Sequence, residues 1–199
     1  MEKKSDKMKK WSMRIGIFLI LLLTGIIVFS PYGSHGGFPY KLVRHTVEID
    51  APVDSVFKFL SNSKSASQWS VFVNHITTLN ADSFPDGTVG SRRRCFCKKD
   101  GTGVQWDEKI TELSPGKKRQ LIIYNMKGFY MTAEHLATEQ IYEKISDKKC
   151  RLTLTVFFKD AEPTLFEQMK TYLAAYKINS IFTGNMSNIK RIVEKKNNG

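Results

Sequence analysis

Two titratable side chains in strand-like segments could take part in acid–base chemistry. His45 shares one face of the segment LVRHTVEI with apolar residues, and its imidazole could hydrogen-bond a ligand or transfer a proton near neutral pH. Glu108 alternates with Trp106 and Ile110. It would be a buried carboxylate and a candidate general base if that face points inward, and a solvated residue if it points outward. A core histidine and a solvated glutamate are the alternatives to these two roles.

The remaining reactive residue types predict no metal site and no cofactor. The chain has three cysteines, of which Cys95 and Cys97 are two residues apart while Cys150 lies in a distant segment. This pattern is neither a disulfide framework nor a zinc site. His75 and His135 lack the spacing of metal ligands. No nucleophile elbow, glycine-rich phosphate loop or catalytic triad motif occurs.

A larger group of side chains is suited to lining an apolar pocket, because aromatic residues recur in the strand-like segments and in the last helix. A filled core is the alternative reading for each of them taken singly. The predicted ligand-binding residues are Trp69, Trp106, Tyr124, Phe129, Tyr130, Phe157, Phe158, Met169, Tyr172 and Tyr176.

The composition describes a folded, strongly basic protein. The 199 residues include 31 Lys and Arg against 19 Asp and Glu, a formal net charge of +12, and 41% are hydrophobic, which excludes global disorder. Basic charge can indicate nucleic-acid binding. However, Arg92, Arg93 and Arg94 are consecutive in a strand-like run and point alternately to opposite faces, so they form no single patch. We therefore predict no nucleic-acid partner.

An uncharged segment near the amino terminus predicts a membrane anchor at residues 15–30. Residues 15–29 read IGIFLILLLTGIIVF, and the stretch 11–30 would span roughly 30 Å as a helix, about the hydrocarbon thickness of a bilayer. A cleaved secretory signal is the alternative, although Ser-His-Gly at 34–36 is a poor match to a cleavage site.

The distribution of basic residues predicts the orientation of this anchor. Six Lys and Arg lie in residues 1–14, whereas only Lys41 and Arg44 follow closely after the apolar segment. By the positive-inside rule, the basic tail stays in the cytoplasm and the rest of the chain faces outward, as in a single-pass membrane protein. Residues 31–40 are expected to be a short spacer.

The remaining sequence predicts an α+β domain. Residues 42–49 read as a strand, Pro52 opens a helix, and residues 65–72 fit a second short helix. One long amphipathic helix ends the chain at 163–195, with Gly184 marking a kink or a close approach. Between these helices, six strand-like runs separated by short turns predict antiparallel hairpins at 74–80, 89–97, 104–113, 120–126, 134–145 and 150–158.

Three motifs in this order resemble the START-like, or SRPBCC, superfamily over residues 41–196. They are the opening VEIDAPVDSVFKFLSN, the segment GTVGS at 87–91, and the Trp-centred strand VQWDEKITE at 104–112. The closest resemblance is to its polyketide cyclase/dehydrase and lipid-transport group. It implies a helix-grip fold: a seven-stranded curved antiparallel sheet in the order 1-7-6-5-4-3-2 around the long carboxy-terminal helix, with a cavity between them.

The resemblance implies membrane-anchored binding of a hydrophobic or lipid-like small molecule. A cyclase or dehydrase using Glu108 or His45 as base is the alternative, and an interaction domain with a closed cavity is the second alternative. The expected partners are this ligand and membrane lipid.

The expected cavity mouth lies beside the tether. There Lys98, Lys99 and Lys127 would contact an anionic membrane surface. Two alternatives exist for the neighbouring side chains of Phe129, Tyr130 and Met131: they would either insert into the membrane surface or point inward and line the cavity.

Overall fold

The computed structural model describes residues 2–129, 136–158 and 164–197 of the chain, which divides into two compact units. The first unit, Met1–Ser30, is built on helix α1 (Glu2–Val28). Within α1, Lys10–Val28 has a mean hydropathy of 2.2 and none of it is buried, so among the described residues it is a helix apolar and long enough to cross a membrane. A membrane anchor and a secretory signal sequence share this character.

Seven antiparallel strands form one sheet in the second unit, Pro31–Gly199. The sheet order is β1-β7-β6-β5-β4-β3-β2, which confirms the predicted helix-grip topology. The strands are β1 (Leu42–Ile49), β2 (His75–Thr78), β3 (Arg92–Phe96), β4 (Gln105–Ser114), β5 (Lys118–Lys127), β6 (Leu136–Ser146) and β7 (Lys149–Phe158).

Short helices connect β1 to β2, and a long one follows β7. Helix α2 (Val53–Ser61) begins after Pro52, and a 3₁₀ turn (Ser63–Ser65) leads into α3 (Ala66–Trp69). Helix α3 is shorter than expected because the Ser70 hydroxyl accepts hydrogen bonds from the N–H groups of Phe72 at 3.1 Å and Val73 at 2.8 Å, which turns the chain. Helix α4 (Leu165–Asn197) packs across the sheet.

The predicted close approach at Gly184 is present. A Cβ atom on Gly184 would lie 2.9 Å from Cγ1 of Val71, and the Val71 N–H donates to Oδ1 of Asn185 at 2.8 Å. The absence of a side chain at Gly184 therefore lets the segment after α3 reach α4.

Two core clusters fill the space between the sheet and α4, on what we call the inner face of the sheet. The first lies against α2 and the carboxy-terminal half of α4, and comprises Ile49, Ala51, Val56, Leu60, Tyr142, Cys150, Leu152, Leu154, Met186, Ile189 and Val193. The second lies towards the start of α4, and comprises Tyr32, Val43, Leu136, Val156, Phe158 and Ala175.

The outer face of the sheet is also partly covered, and the segment expected to be a spacer covers it. Phe38 and Tyr40 pack on Leu42 and Phe157, with ring centroids of Phe38 and Phe157 5.0 Å apart. Tyr32, from the same segment, is only 4% exposed. Tyr32, Phe38 and Tyr40 of the expected spacer therefore pack against the sheet, whereas residues 34–37 are exposed.

Candidate ligand-binding interior

Both core clusters of the inner face are bordered by apolar side chains that are only partly buried. Around α2, these side chains are Val47, Val53, Phe57, Phe59, Trp69 and Phe182. Towards the start of α4, the second cluster is bordered by apolar side chains that keep part of their surface exposed: Ile123, Met126, Tyr172, Ile178 and Phe182. Both halves of the inner face therefore keep some apolar surface accessible.

Three aromatic rings form one wall of the interior. The Trp106 ring stacks on Phe72 with centroids 5.8 Å apart and meets the edge of Phe129 at 5.9 Å. Trp106 is 8% exposed, and Phe129 is half-buried. This arrangement matches the alternative in which Phe129 folds inward, while Tyr130 and Met131 lie outside the described residues.

Glu108 lies on the inner face and forms a buried ion pair. Its Oε2 accepts from Nε of Arg93 at 2.8 Å, and its Oε1 accepts from Nε1 of Trp106 at 2.9 Å. Burial alone would lower the pKa of Arg93, but the charge and hydrogen bond of Glu108 raise it instead. Both carboxylate oxygens of the candidate base are therefore already engaged.

A second buried arginine, which the sequence reading did not single out, lies on the same face. Arg119 is 0% exposed, donates to the Leu60 carbonyl at 2.9 Å and to Oγ of Ser61 at 2.5 Å, and has its guanidinium 5.3 Å from the Phe57 ring centroid. Burial lowers its pKa. The alternation of Arg119 with Leu121 along β5 is the signal that could have placed it inside.

Two buried donor atoms on this side have no acceptor among the described residues. They are Nε of Arg119 and Nε1 of Trp69, whose ring packs against the first cluster. Buried donors normally have acceptors, so these are positions where a polar atom of a bound molecule would be stabilised.

Tyrosines meet at the start of α4. The Tyr32 ring lies 5.3 Å from Tyr172 and 6.3 Å from Phe158, and Nζ of Lys41 donates to the Tyr172 hydroxyl at 3.0 Å. Burial and the neighbouring Tyr172 raise the pKa of Tyr32 to about 12. Tyr172 and Phe158, both predicted ligand-binding residues, therefore pack against one ring, that of Tyr32, near the start of α4. Tyr32 was not among the predicted ligand-binding residues.

Three of the predicted ligand-binding residues do not join this interior. Phe157 pairs with Leu42 on the outer face, and Tyr124 follows Ile122 on that face by strand alternation. Tyr176 is 45% exposed on α4. These placements correct the expectation that the three side chains line the interior. Met169 is half-buried on α4, and Tyr130 lies outside the described residues.

The two candidate bases are far apart. His45, half-buried, lies opposite Leu154 on the inner face of β1, and Glu108 is on β4. Four strand spacings of about 4.8 Å separate these strands, roughly 19 Å along the sheet. The geometry therefore does not support their joint action on one substrate atom.

The lysines of the predicted membrane contact lie at one end of the sheet. Lys98, Lys99 and Lys127 are exposed, and a Cβ on Gly128 would lie 3.0 Å from the Gly103 carbonyl oxygen. The turns after β3 and β5 are therefore neighbours.

The cysteines within the described part of the chain are unpaired. Burial raises the pKa of the Cys95 thiol well above its usual value, and that of Cys97 and Cys150 to about 11. Within the described ranges, no cluster of three or more His, Cys, Asp or Glu side chains could hold a metal ion.

These features define a helix-grip domain whose core is bordered by partly buried apolar side chains. The profile of the family described as polyketide cyclase / dehydrase and lipid transport matches residues 41–194, and the chain belongs to this family. No curated protein sequence matches the chain.

Solved structures share the fold at low sequence identity. The Zhui aromatase/cyclase from Streptomyces sp. R1128 is 17% identical with a TM-score of 0.58, and the match covers 78% of this chain and 94% of that one. The di-domain ARO/CYC BexL of the BE-7585A biosynthetic pathway is 14% identical with a TM-score of 0.60; the match covers 77% of this chain and 46% of BexL. A protein from Thermobifida fusca is 15% identical with a TM-score of 0.59, covering 77% and 93%. At these identities, the likeness concerns the fold.

Proposed function

We propose that the protein is a membrane-anchored carrier or receptor that holds a hydrophobic or lipid-like small molecule between the sheet and α4. The observation that carries this proposal is the group of partly exposed apolar side chains on the inner face, next to the wall formed by Trp106, Phe72 and Phe129. Apolar surface with a few polar groups is typical of small-molecule sites.

The proposed ligand is mainly apolar with one polar end. The accessible side chains near the start of α4 would contact its apolar body, whereas the unpaired donors of Arg119 and Trp69 would receive an oxygen atom. Membrane anchoring through α1, with the amino terminus in the cytoplasm and the domain outside, would keep the protein at the source of such molecules.

The alternative of a cyclase or dehydrase has weaker support. The family profile and the aromatase/cyclase neighbours are compatible with it. However, Glu108 is held by Arg93 and Trp106, and His45 lies four strand spacings away. A general base must be directed at the substrate proton, whereas the two oxygens of Glu108 are directed at Arg93 and Trp106.

The test is to extract the full chain from membranes in detergent and identify bound molecules by native mass spectrometry. Ile123→Trp adds a large side chain to the proposed site of the ligand's apolar body, so we expect the bound molecule to be lost. Tyr124→Trp, at the next position but on the outer face, is the matched control and should retain it. A bound molecule retained equally by both variants, or absent from the unmodified chain, contradicts the proposal.

A further inference from the structure

The first turns of α4 carry an apolar surface that faces away from the sheet. Leu165, Phe166, Leu173 and Tyr176 are 78, 68, 45 and 45% exposed. At about 100° per residue, these four residues, which we call the α4 stripe, lie within an arc of roughly 100° on the helix. The buried positions of the helix, such as Ala175, lie on the opposite side.

The helix start that presents this stripe is fixed by a capping box. The Thr164 N–H donates to Oε2 of Glu167 at 2.9 Å, and the Glu167 N–H donates to Oγ1 of Thr164 at 3.2 Å. These reciprocal bonds satisfy backbone donors of the first turn without burying the side chains of Leu165 and Phe166. The stripe is therefore a preformed surface.

Basic side chains border the stripe. Nζ of Lys170 lies 4.3 Å from the Phe166 ring centroid, and Lys177, one helical position beyond Tyr176, is exposed. Both lysines project from the flank next to Phe166, whereas Glu167 projects from the side facing away from the stripe. An apolar strip flanked by lysines is typical of helices that lie at a lipid–water interface.

A short chain segment connects the carboxy-terminal end of α1 to Tyr32, a residue packed on these turns. Tyr32 is buried against Tyr172, which lies on the same turns of α4 as the stripe. Three residues lie between Val28, where α1 ends, and Tyr32, so the Cα atoms of Val28 and Tyr32 can be at most about 14 Å apart. If Lys10–Val28 spans a bilayer, Tyr32 lies within that distance of the end of the span.

We propose that the α4 stripe docks on the lipid surface beside the anchor, with Leu165 and Phe166 in the interfacial layer and Lys170 and Lys177 at anionic headgroups. This inference rests on the anchoring part of the proposed function, but not on the identity of the bound molecule. The docked surface differs from the lysines of the β3–β4 and β5–β6 turns, because it is formed by α4.

The test uses the full chain in vesicles of phosphatidylcholine and phosphatidylglycerol. A Cys97→Ser background leaves Cys95 and Cys150, each 1% exposed, and a nitroxide is attached at Phe166→Cys or Leu173→Cys. Ser187→Cys, exposed on α4 and roughly 21 Å beyond Leu173, is the matched control. Collision rates of the nitroxide with oxygen and with a water-soluble nickel complex are measured by electron paramagnetic resonance.

We expect the oxygen-to-nickel collision ratio to be severalfold higher at Phe166→Cys and Leu173→Cys than at Ser187→Cys, and the difference to shrink in vesicles without phosphatidylglycerol. Equal ratios at all three sites in a chain that floats with vesicles overturn the docking surface alone. Dipolar broadening between labels that disappears on dilution with unlabelled chain indicates a second copy on the stripe and also overturns it. A chain that does not float with vesicles overturns the anchor and the docking together.

Discussion

Replacing Glu108 with Gln tests whether the buried ion pair of the inner face is a desolvated structural element. The side chains of Arg93 and Glu108 are 9% and 11% exposed, so Glu108→Gln removes the carboxylate charge bonded to a buried guanidinium and leaves it the weaker electrostatic effect of Asp86. Loss of one partner of a buried pair costs about 3–5 kcal/mol. The equilibrium constant for folding should therefore fall by roughly two to four powers of ten.

The assay is urea unfolding of the full chain in detergent micelles, followed by tryptophan fluorescence. Glu112→Gln is the matched control on the same strand, because Glu112 pairs with Lys118 at 2.9 Å while its side chain is 47% exposed. This change should cost about 0–1 kcal/mol. Replacing both Arg93 and Glu108 with Met and Leu should recover most of the lost stability.

The result that would refute this reasoning is a Glu108→Gln midpoint no lower than that of Glu112→Gln. Water would then solvate Arg93 in the folded protein, and the interior near Trp106 would be a hydrated polar site rather than a packed wall. Such a result would also strengthen the alternative in which Glu108 acts on a substrate.

Three further outcomes follow from individual contacts. Gly184→Ala should destabilise the domain by about 1–3 kcal/mol, because the added Cβ would lie 2.9 Å from Val71; thermal unfolding measures this, and an unchanged melting temperature contradicts the close approach. The thiol of Cys95 should react with Ellman's reagent at pH 8 only after unfolding, because burial raises its pKa; rapid reaction of the folded protein at this residue, identified by peptide mapping, would argue against its burial. Hydrogen bonding by Arg94 lowers the pKa of Asp107 in the folded protein. The pair therefore stabilises the fold fully above the pKa of Asp107 in the unfolded chain, about 4, and this stabilisation is lost as the pH falls through the lower pKa of the folded protein. The acid-induced loss of stability should be smaller in Asp107→Asn, and identical acid titrations of the two proteins would contradict this.

The sheet was predictable because apolar and polar residues alternate along its strands and because short turns connect them. The sheet order came from the resemblance and is confirmed. The strand boundaries moved where the backbone departs from regular geometry: β3 begins at Arg92 because Gly90, with φ +90°, interrupts the extended chain just before it. From the sequence alone, a glycine in a strand-like run could either continue the strand or interrupt it.

The inner and outer faces were harder to assign, because both bury apolar side chains. Phe157 and Phe158 are adjacent, so only one of them can face α4. The outer position of Phe157 is apolar because Phe38 and Tyr40 cover it, and no local pattern relates a tyrosine at 40 to a strand more than a hundred residues later. The burial of Arg93 and Arg119 was not predicted either, because arginine side chains are usually exposed in folded proteins.

The burial of Tyr32 links proteolytic processing to folding. Cleavage at the Ser-His-Gly sequence of residues 34–36 would remove Tyr32 from a cluster in which it contacts Phe158 and Tyr172. The shortened chain would keep its sheet but lose an aromatic ring from its core, a change that typically costs a few kcal/mol. The domain is therefore fully packed only with the segment just after the apolar helix retained, so that a signal peptidase cutting there would release a less stable protein.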